Sequence, residues 1–263
     1  MSNYEELTLD ILGVKTCVRK GGSGPPLVYW HGAGGGGAWH AHHALLAERF
    51  TVYAPDHPGW SDSDNPEWMD AMLDYALHYD SLFRLLNIER PTLVGHSLGG
   101  WMAATFAAIY PTRLARLVLV NAAGYPFITE EQPDFFAAAM RGGKAFSKAL
   151  FHNPEIAKTY MPANPTPEEQ MLRFRHMTST ARLAWHCWFD EKMPQRLARL
   201  QVPTLVLWGA HDGLFPPILA EKYAAAIPNS RLVILPECAH MVPFEDKEAL
   251  LREILELPEA PLS

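Results

Sequence analysis

The chain has 263 residues, is 48% hydrophobic and 19% charged, and carries a formal charge of −7. That length allows one large α/β domain with an insertion. The acidic balance argues against nucleic acid as a partner, and no apolar run reaches the roughly 18 residues a membrane span needs. Cys17, Cys187 and Cys238 are odd in number and far apart, which suits a reducing cytoplasm and offers neither a disulfide framework nor a zinc site. Residues Met1 to Asp10 lack a basic segment followed by an apolar one, so no signal peptide is expected.

In chain order, the segments around Leu7–Leu12 and Val14–Arg19 predict a hairpin turned at Gly13. Short apolar runs then alternate with helical stretches. The runs Leu27–Trp30, Thr51–Ala54, Thr92–Val94, Leu117–Val120, Thr204–Trp208 and Leu232–Leu235 predict strands. Helices are predicted near Trp39–Glu48, Asp74–Asn87, Gly99–Tyr110, Ile218–Ala226 and Lys247–Leu257. This alternation implies a mostly parallel sheet flanked by helices. The rhythm breaks from Tyr125 to Leu197, where helical pieces lie between prolines. A structureless loop that long is uncommon in a compact domain, so residues 125–197 are expected to be an inserted helical lid on a core made of 1–124 and 198–263. Among its basic residues Arg141, Lys144, Arg173, Arg175 and Arg182 are either a solvated surface or contacts for a substrate carboxylate.

The densest chemical signal is Gly95-His-Ser-Leu-Gly-Gly100. It lies between the strand ending at Val94 and a helix stopped by Pro111, so Ser97 sits on a strand-to-helix turn with glycine two before and two after. The helix begins at the serine, and its first N–H groups favour negative charge there. A serine hydroxyl needs a base, and the base needs an orienting acid. His240 follows the strand Leu232–Leu235 and Asp212 follows Thr204–Trp208, both at the sheet edge where Ser97 lies and where parallel sheets bind ligands. The order Ser97, Asp212, His240 is that of the nucleophile-elbow pattern. The end of the preceding strand, Asn121-Ala-Ala-Gly124, offers no competing carboxylate, and Asp56 is read as bracing a loop.

Oxyanion donors are assigned to the backbone N–H of Leu98 and of Ala33, in the loop His31-Gly-Ala-Gly-Gly-Gly-Gly37. The four glycines Gly34–Gly37 suggest a mobile loop over the pocket. Gly32-x-Gly34-x-x-Gly37 also matches a dinucleotide fingerprint formally, but that reading leaves Ser97, Asp212 and His240 unexplained. His40-x-His42-His43 is read as solvated helix histidines rather than metal ligands. Gly34, Trp185 and Trp188 are the candidate substrate contacts, the tryptophans with Phe135, Phe136 and Met140 suggesting either an apolar acyl or aromatic pocket or simple core packing of the lid.

On these motifs the chain resembles the α/β-hydrolase family, whose elbow has this form. The matching segments are His31-Gly-Ala-Gly, Asp56-His-Pro-Gly, Gly95-His-Ser-Leu-Gly-Gly100, Gly209-x-x-Asp212 and His240. The resemblance implies an eight-stranded sheet with a lid inserted after the sixth strand. Relatives often carry glycine where this chain has Ser61, and the family's carbon–carbon hydrolases often place tryptophan where it has Met241. Leu98 after the nucleophile speaks against dehalogenase or epoxide-hydrolase chemistry. The expected activity is hydrolysis of a carboxylic ester of a small to medium apolar or aromatic substrate through an acyl-enzyme, with no metal or organic cofactor, rising with pH as an ordinary histidine loses its proton. Carbon–carbon hydrolysis of a vinylogous diketone and slow-turnover ligand sensing are the alternatives. A small-molecule substrate is the only partner expected, with neither nucleic acid nor membrane, and the oligomeric state is left open.

Overall fold

The computed structural model describes residues 4–127, 143–161 and 164–261. The apolar runs form one eight-stranded sheet in the order β1-β2-β4-β3-β5-β6-β7-β8. Strands β1 (Tyr4–Ile11) and β2 (Val14–Gly21) form the hairpin, and β2 pairs antiparallel with β4 (Thr51–Pro55). Its turn is tight because Leu12 and Gly13 both take positive φ (53° and 85°), and Asp10 Oδ1 accepts the Gly13 N–H at 2.8 Å. The remaining strands, β3 (Pro26–Trp30), β5 (Thr92–His96), β6 (Arg116–Val120), β7 (Thr204–Gly209) and β8 (Ser230–Leu235), run parallel with β4.

These strands are apolar throughout because both faces are covered. Val28, Trp30, Leu117, Leu119, Val206 and Trp208 enter one core with α2 (Met72–Leu85), α3 (Leu98–Ile109) and α8 (Ile218–Ala226). The alternate residues Leu27, Tyr29, Val118, Val120, Leu205 and Leu207 face a second core with α1 (Ala41–Leu46) and α10 (Lys247–Glu256). Between β6 and β7 the chain carries α4 (Gly143–Leu150), α5 (Pro154–Tyr160), α6 (Pro167–Ala184) and α7 (Met193–Leu197), and the short α9 (Val242–Glu245) follows β8. Thr166 starts α6 with a capping box to Glu169 and proline at its first position. Phe135, Phe136, Met140 and Arg141 lie outside the described residues. No helix among the described residues is long and apolar enough to cross a membrane.

The histidines of α1 are not solvated. His42 and His43 are buried, with their rings against Tyr29, and His42 also meets Phe244. Buried against these rings, the two histidines serve as part of the core.

Candidate active site

The elbow is built by close backbone approach. A Cβ at Gly95 would stand 2.4 Å from Gly99 O, and one at Gly99 would stand 2.3 Å from Trp30 O. Only glycine fits either position. Ser97 takes φ 55°, ψ −116°, between the end of β5 and the first residue of α3. Its N–H is held by Val120 O at 2.9 Å, and its own carbonyl accepts from Gly100, Trp101 and Ala123.

The structure brings Ser97, His240 and Asp212 together, all buried (7%, 3% and 5% exposed). His240 Nδ1 lies 2.9 Å from Asp212 Oδ2, and His240 Nε2 lies 2.9 Å from Ser97 Oγ. A carboxylate can only accept, so Nδ1 carries the ring proton and the Nε2 lone pair faces the serine hydroxyl. Asp212 Oδ1 accepts the N–H groups of Leu214 (2.8 Å) and Phe215 (2.9 Å). Its Oδ2 takes a second donor, Asn121 Nδ2, at 2.7 Å.

Asn121 therefore has a place that the sequence reading missed. It directly follows β6, takes φ 45°, and is fully buried behind the acid. Its amide is not a rival acid but serves the carboxylate of Asp212, which follows the neighbouring strand β7. His96 was also passed over, and its Nε2 donates to His240 O at 3.0 Å. Burial, and then the neighbouring His240, lower the His96 pKa to about 3.

Leu98 opens α3, so its N–H has no partner within the helix. The loop after β3 lies against the nucleophile, since a Cβ at Gly32 would stand 3.0 Å from Ser97 Cβ. Ala33 follows directly, and its carbonyl accepts Trp60 Nε1 at 2.8 Å. Rather than hanging free, the glycine loop is fastened. Gly37 N donates to Asp56 Oδ1 at 2.7 Å, and Gly35 N donates to Gly32 O at 3.0 Å. Asp56 is itself held by the buried Arg19 guanidinium at 2.9 Å. Behind the loop His31 stays neutral, with burial lowering its pKa to about 4, and its Nε2 accepts the His57 N–H at 3.2 Å. Among the described residues Cys17, Asp56 and Asp62 bring metal-ligand types together, but Arg19 bridges the two carboxylates as their cation.

The proposed substrate contacts scatter. Gly34 is exposed and a Cβ there would meet nothing within 4 Å. Trp185 is 62% exposed, while Trp188 packs against the first core. A cavity of about 740 Å³ runs along α3 against Trp101, Thr105, Leu183 and Phe189, and neither tryptophan is among its walls. Arg175 and Arg182 are engaged with the carbonyls of Ser63 and Pro66, while Lys144 and Arg173 are exposed.

A strand-turn-helix serine joined to a histidine and a strand-end aspartate, on a mostly parallel eight-stranded sheet, defines a class of enzyme scaffold. The chain belongs to the alpha/beta hydrolase fold family, whose model matches residues 25–247. An uncharacterized protein of Mycobacterium tuberculosis is 30% identical over 266 residues, covering 93% of this chain and 78% of that one. The Pseudomonas putida 2-hydroxy-6-oxononadienedioate/2-hydroxy-6-oxononatrienedioate hydrolase 2 is 29% identical over 252 residues, covering 88% of this chain and 86% of its own. Among solved structures, a thermophilic esterase from Thermogutta terrifontis superposes with a TM-score of 0.74 at 25% identity, with 97% of each chain covered. Family and fold together mark this chain as a hydrolase.

Proposed function

We propose that the protein is a serine hydrolase of carboxylic esters. One observation carries the reading, the continuous line from Ser97 Oγ through the His240 ring to Asp212, with 2.9 Å at each junction. Ser97 Oγ attacks the acyl carbon while its proton passes to His240 Nε2. The resulting imidazolium is held by Asp212, and the N–H groups of Leu98 and Ala33 stabilise the oxyanion. His240 returns the proton to the leaving alcohol, and water then cleaves the acyl-enzyme by the same steps. Residues 125–197 act as a lid over this edge of the sheet.

Carbon–carbon hydrolysis is the second reading, and the Pseudomonas putida relative favours it. The lid arginines lend it less support than their sequence suggests, since Arg175 and Arg182 hold loop carbonyls.

The test is steady-state hydrolysis of p-nitrophenyl esters of increasing acyl length by wild type and Ser97→Ala, with a vinylogous diketone in parallel. Multiple turnover of the esters that vanishes in the variant supports the first reading. Turnover of the diketone alone moves the assignment to carbon–carbon hydrolysis. Turnover of neither substrate leaves ligand sensing as the reading.

A further inference from the structure

Helix α6 belongs to the insertion between β6 and β7, yet one of its faces is spent on the loop that follows β4. Arg175 Nη2 donates to Ser63 O, Ser179 Oγ to Gly59 O at 2.7 Å, and Arg182 Nη1 to Pro66 O at 2.8 Å. His176 sits within this row and is buried. Its Nε2 lies 3.3 Å from Ser61 N and 3.0 Å from Ser61 Oγ. A backbone N–H can only donate, so Nε2 is the acceptor and the ring proton sits on Nδ1. Burial, and then the His31 ring, lower the His176 pKa to about 4 and keep it neutral, against the Asp56 carboxylate and the Gly34 carbonyl, which favour a proton on the ring.

Ser61 is the other half of the contact. It holds φ 45°, a backbone state glycine adopts without strain and serine does not. Its hydroxyl is wedged against the glycine loop. A Cβ at Gly36 would stand 2.8 Å from Ser61 Oγ, and one at Gly37 would stand 3.0 Å from it. The loop after β4 thus grips the glycine loop at three points, through Asp56 to Gly37 N, Trp60 to Ala33 O, and Ser61 against Gly36 and Gly37. Helix α6 in turn holds that gripping loop from Gly59 to Pro66.

We propose that His176 is a positioning residue: through Ser61 it makes the placement of the Ala33 amide depend on the seating of α6. The helical insertion is then part of the frame of the oxyanion hole as well as a cover. A shift of α6 moves a donor, so access and reactivity change together. The inference rests on the serine chemistry proposed above, in which that amide meets the developing charge. Simple packing predicts otherwise, because an apolar ring of similar size would then replace His176 with no change in chemistry.

The test compares wild type with His176→Phe, His176→Gln, Ser61→Gly and the double variant His176→Phe/Ser61→Gly. Three quantities are read: kcat and KM on an ester per titrated site, the second-order rate of Ser97 phosphonylation by a fluorophosphonate, and Tm. Misplacing a reacting group or losing one oxyanion donor typically costs about a hundredfold. His176→Phe and Ser61→Gly are accordingly expected to lower kcat and the phosphonylation rate by about ten- to a hundredfold, with KM little changed. His176→Gln keeps an acceptor for Ser61 and restores most of the rate. The double variant is no slower than the slower single one, because the two residues act through each other. Ser61→Gly relieves backbone strain, so a slow but fully folded Ser61→Gly enzyme separates positioning from stability even if His176→Phe fails to fold. Wild-type rates per folded site in Ser61→Gly, or additive losses in the double variant, overturn the proposal. A wild-type protein that resists the phosphonate overturns the serine-hydrolase reading and this inference with it.

Discussion

Deleting the Asn121 side chain isolates the support behind the acid. Asp212 accepts four hydrogen bonds, and the one from Asn121 Nδ2, at 2.7 Å, is the shortest of them. Asn121→Gly removes that donor without new strain, because glycine takes φ 45° freely. A hydrogen bond to a charged group contributes about 1.5–3 kcal/mol. Carried fully into the transition state, where Asp212 faces an imidazolium, that loss lowers kcat by about ten- to a hundredfold. Asn121 is fully buried behind the acid, so KM should stay where it is. Stability should fall less than the lost bond suggests, since Asn121 Oδ1 has no partner and its removal relieves a buried polar atom. The assay is ester hydrolysis at several substrate concentrations with active-site titration, beside a thermal melt. A kcat within twofold of wild type per titrated site would refute the argument. A loss confined to Tm would show that the amide only packs.

Three further outcomes follow from the geometry. Asp212→Asn keeps the shape of the acid but removes its charge, and about a ten-thousandfold fall in kcat is expected, as in other Ser-His-Asp triads; a fall of less than tenfold would mean another group does its work. Gly99→Ala drives a Cβ to 2.3 Å from Trp30 O and 2.6 Å from His31 O, both backbone atoms, so a loss of at least about 3 kcal/mol and a Tm lower by several degrees are expected in calorimetry; an unchanged Tm would contradict the elbow packing. Burial lowers the pKa of His31, His78 and His176 to about 4 and of His96 to about 3, from 6.5. The unfolded chain therefore binds these protons first, so stability is full above pH 6.5 and drains as pH falls toward 4, by up to about 1.4 kcal/mol per pH unit for each group. Urea unfolding at pH 7.5, 6 and 5 should show a steep decline, and a flat profile would mean that these rings are not held neutral.

What could be read from the sequence was what the chain decides locally. Gly95, Ser97 and Gly99 announce the turn because the clash they avoid lies within a few residues and the neighbouring strand. The hairpin at Gly13 and the doubly buried strands are legible for the same reason. Contacts that join distant segments left no local mark. His42 and His43 look like surface residues of a polar helix until Tyr29 and Phe244 close on them. Four glycines in a row signal mobility, but Asp56, Trp60 and Ser61, arriving from the next strand's loop, pin them. The arginines of α6 carry charge that suits a ligand, and only the fold reveals that Ser63 and Pro66 occupy them. The role of Asn121 has no local mark because its partner Asp212 is 91 residues away and an amide at that position reads only as the lack of a carboxylate.

Ser97 holds a left-handed φ of 55°, and such a posture costs a non-glycine residue on the order of 1–3 kcal/mol. A Ser97→Gly chain should therefore melt higher than the native one while losing the nucleophile. At this position, mutation toward greater stability and loss of chemistry run in the same direction. Selection for folding alone would erode the serine, and only selection for turnover could keep it.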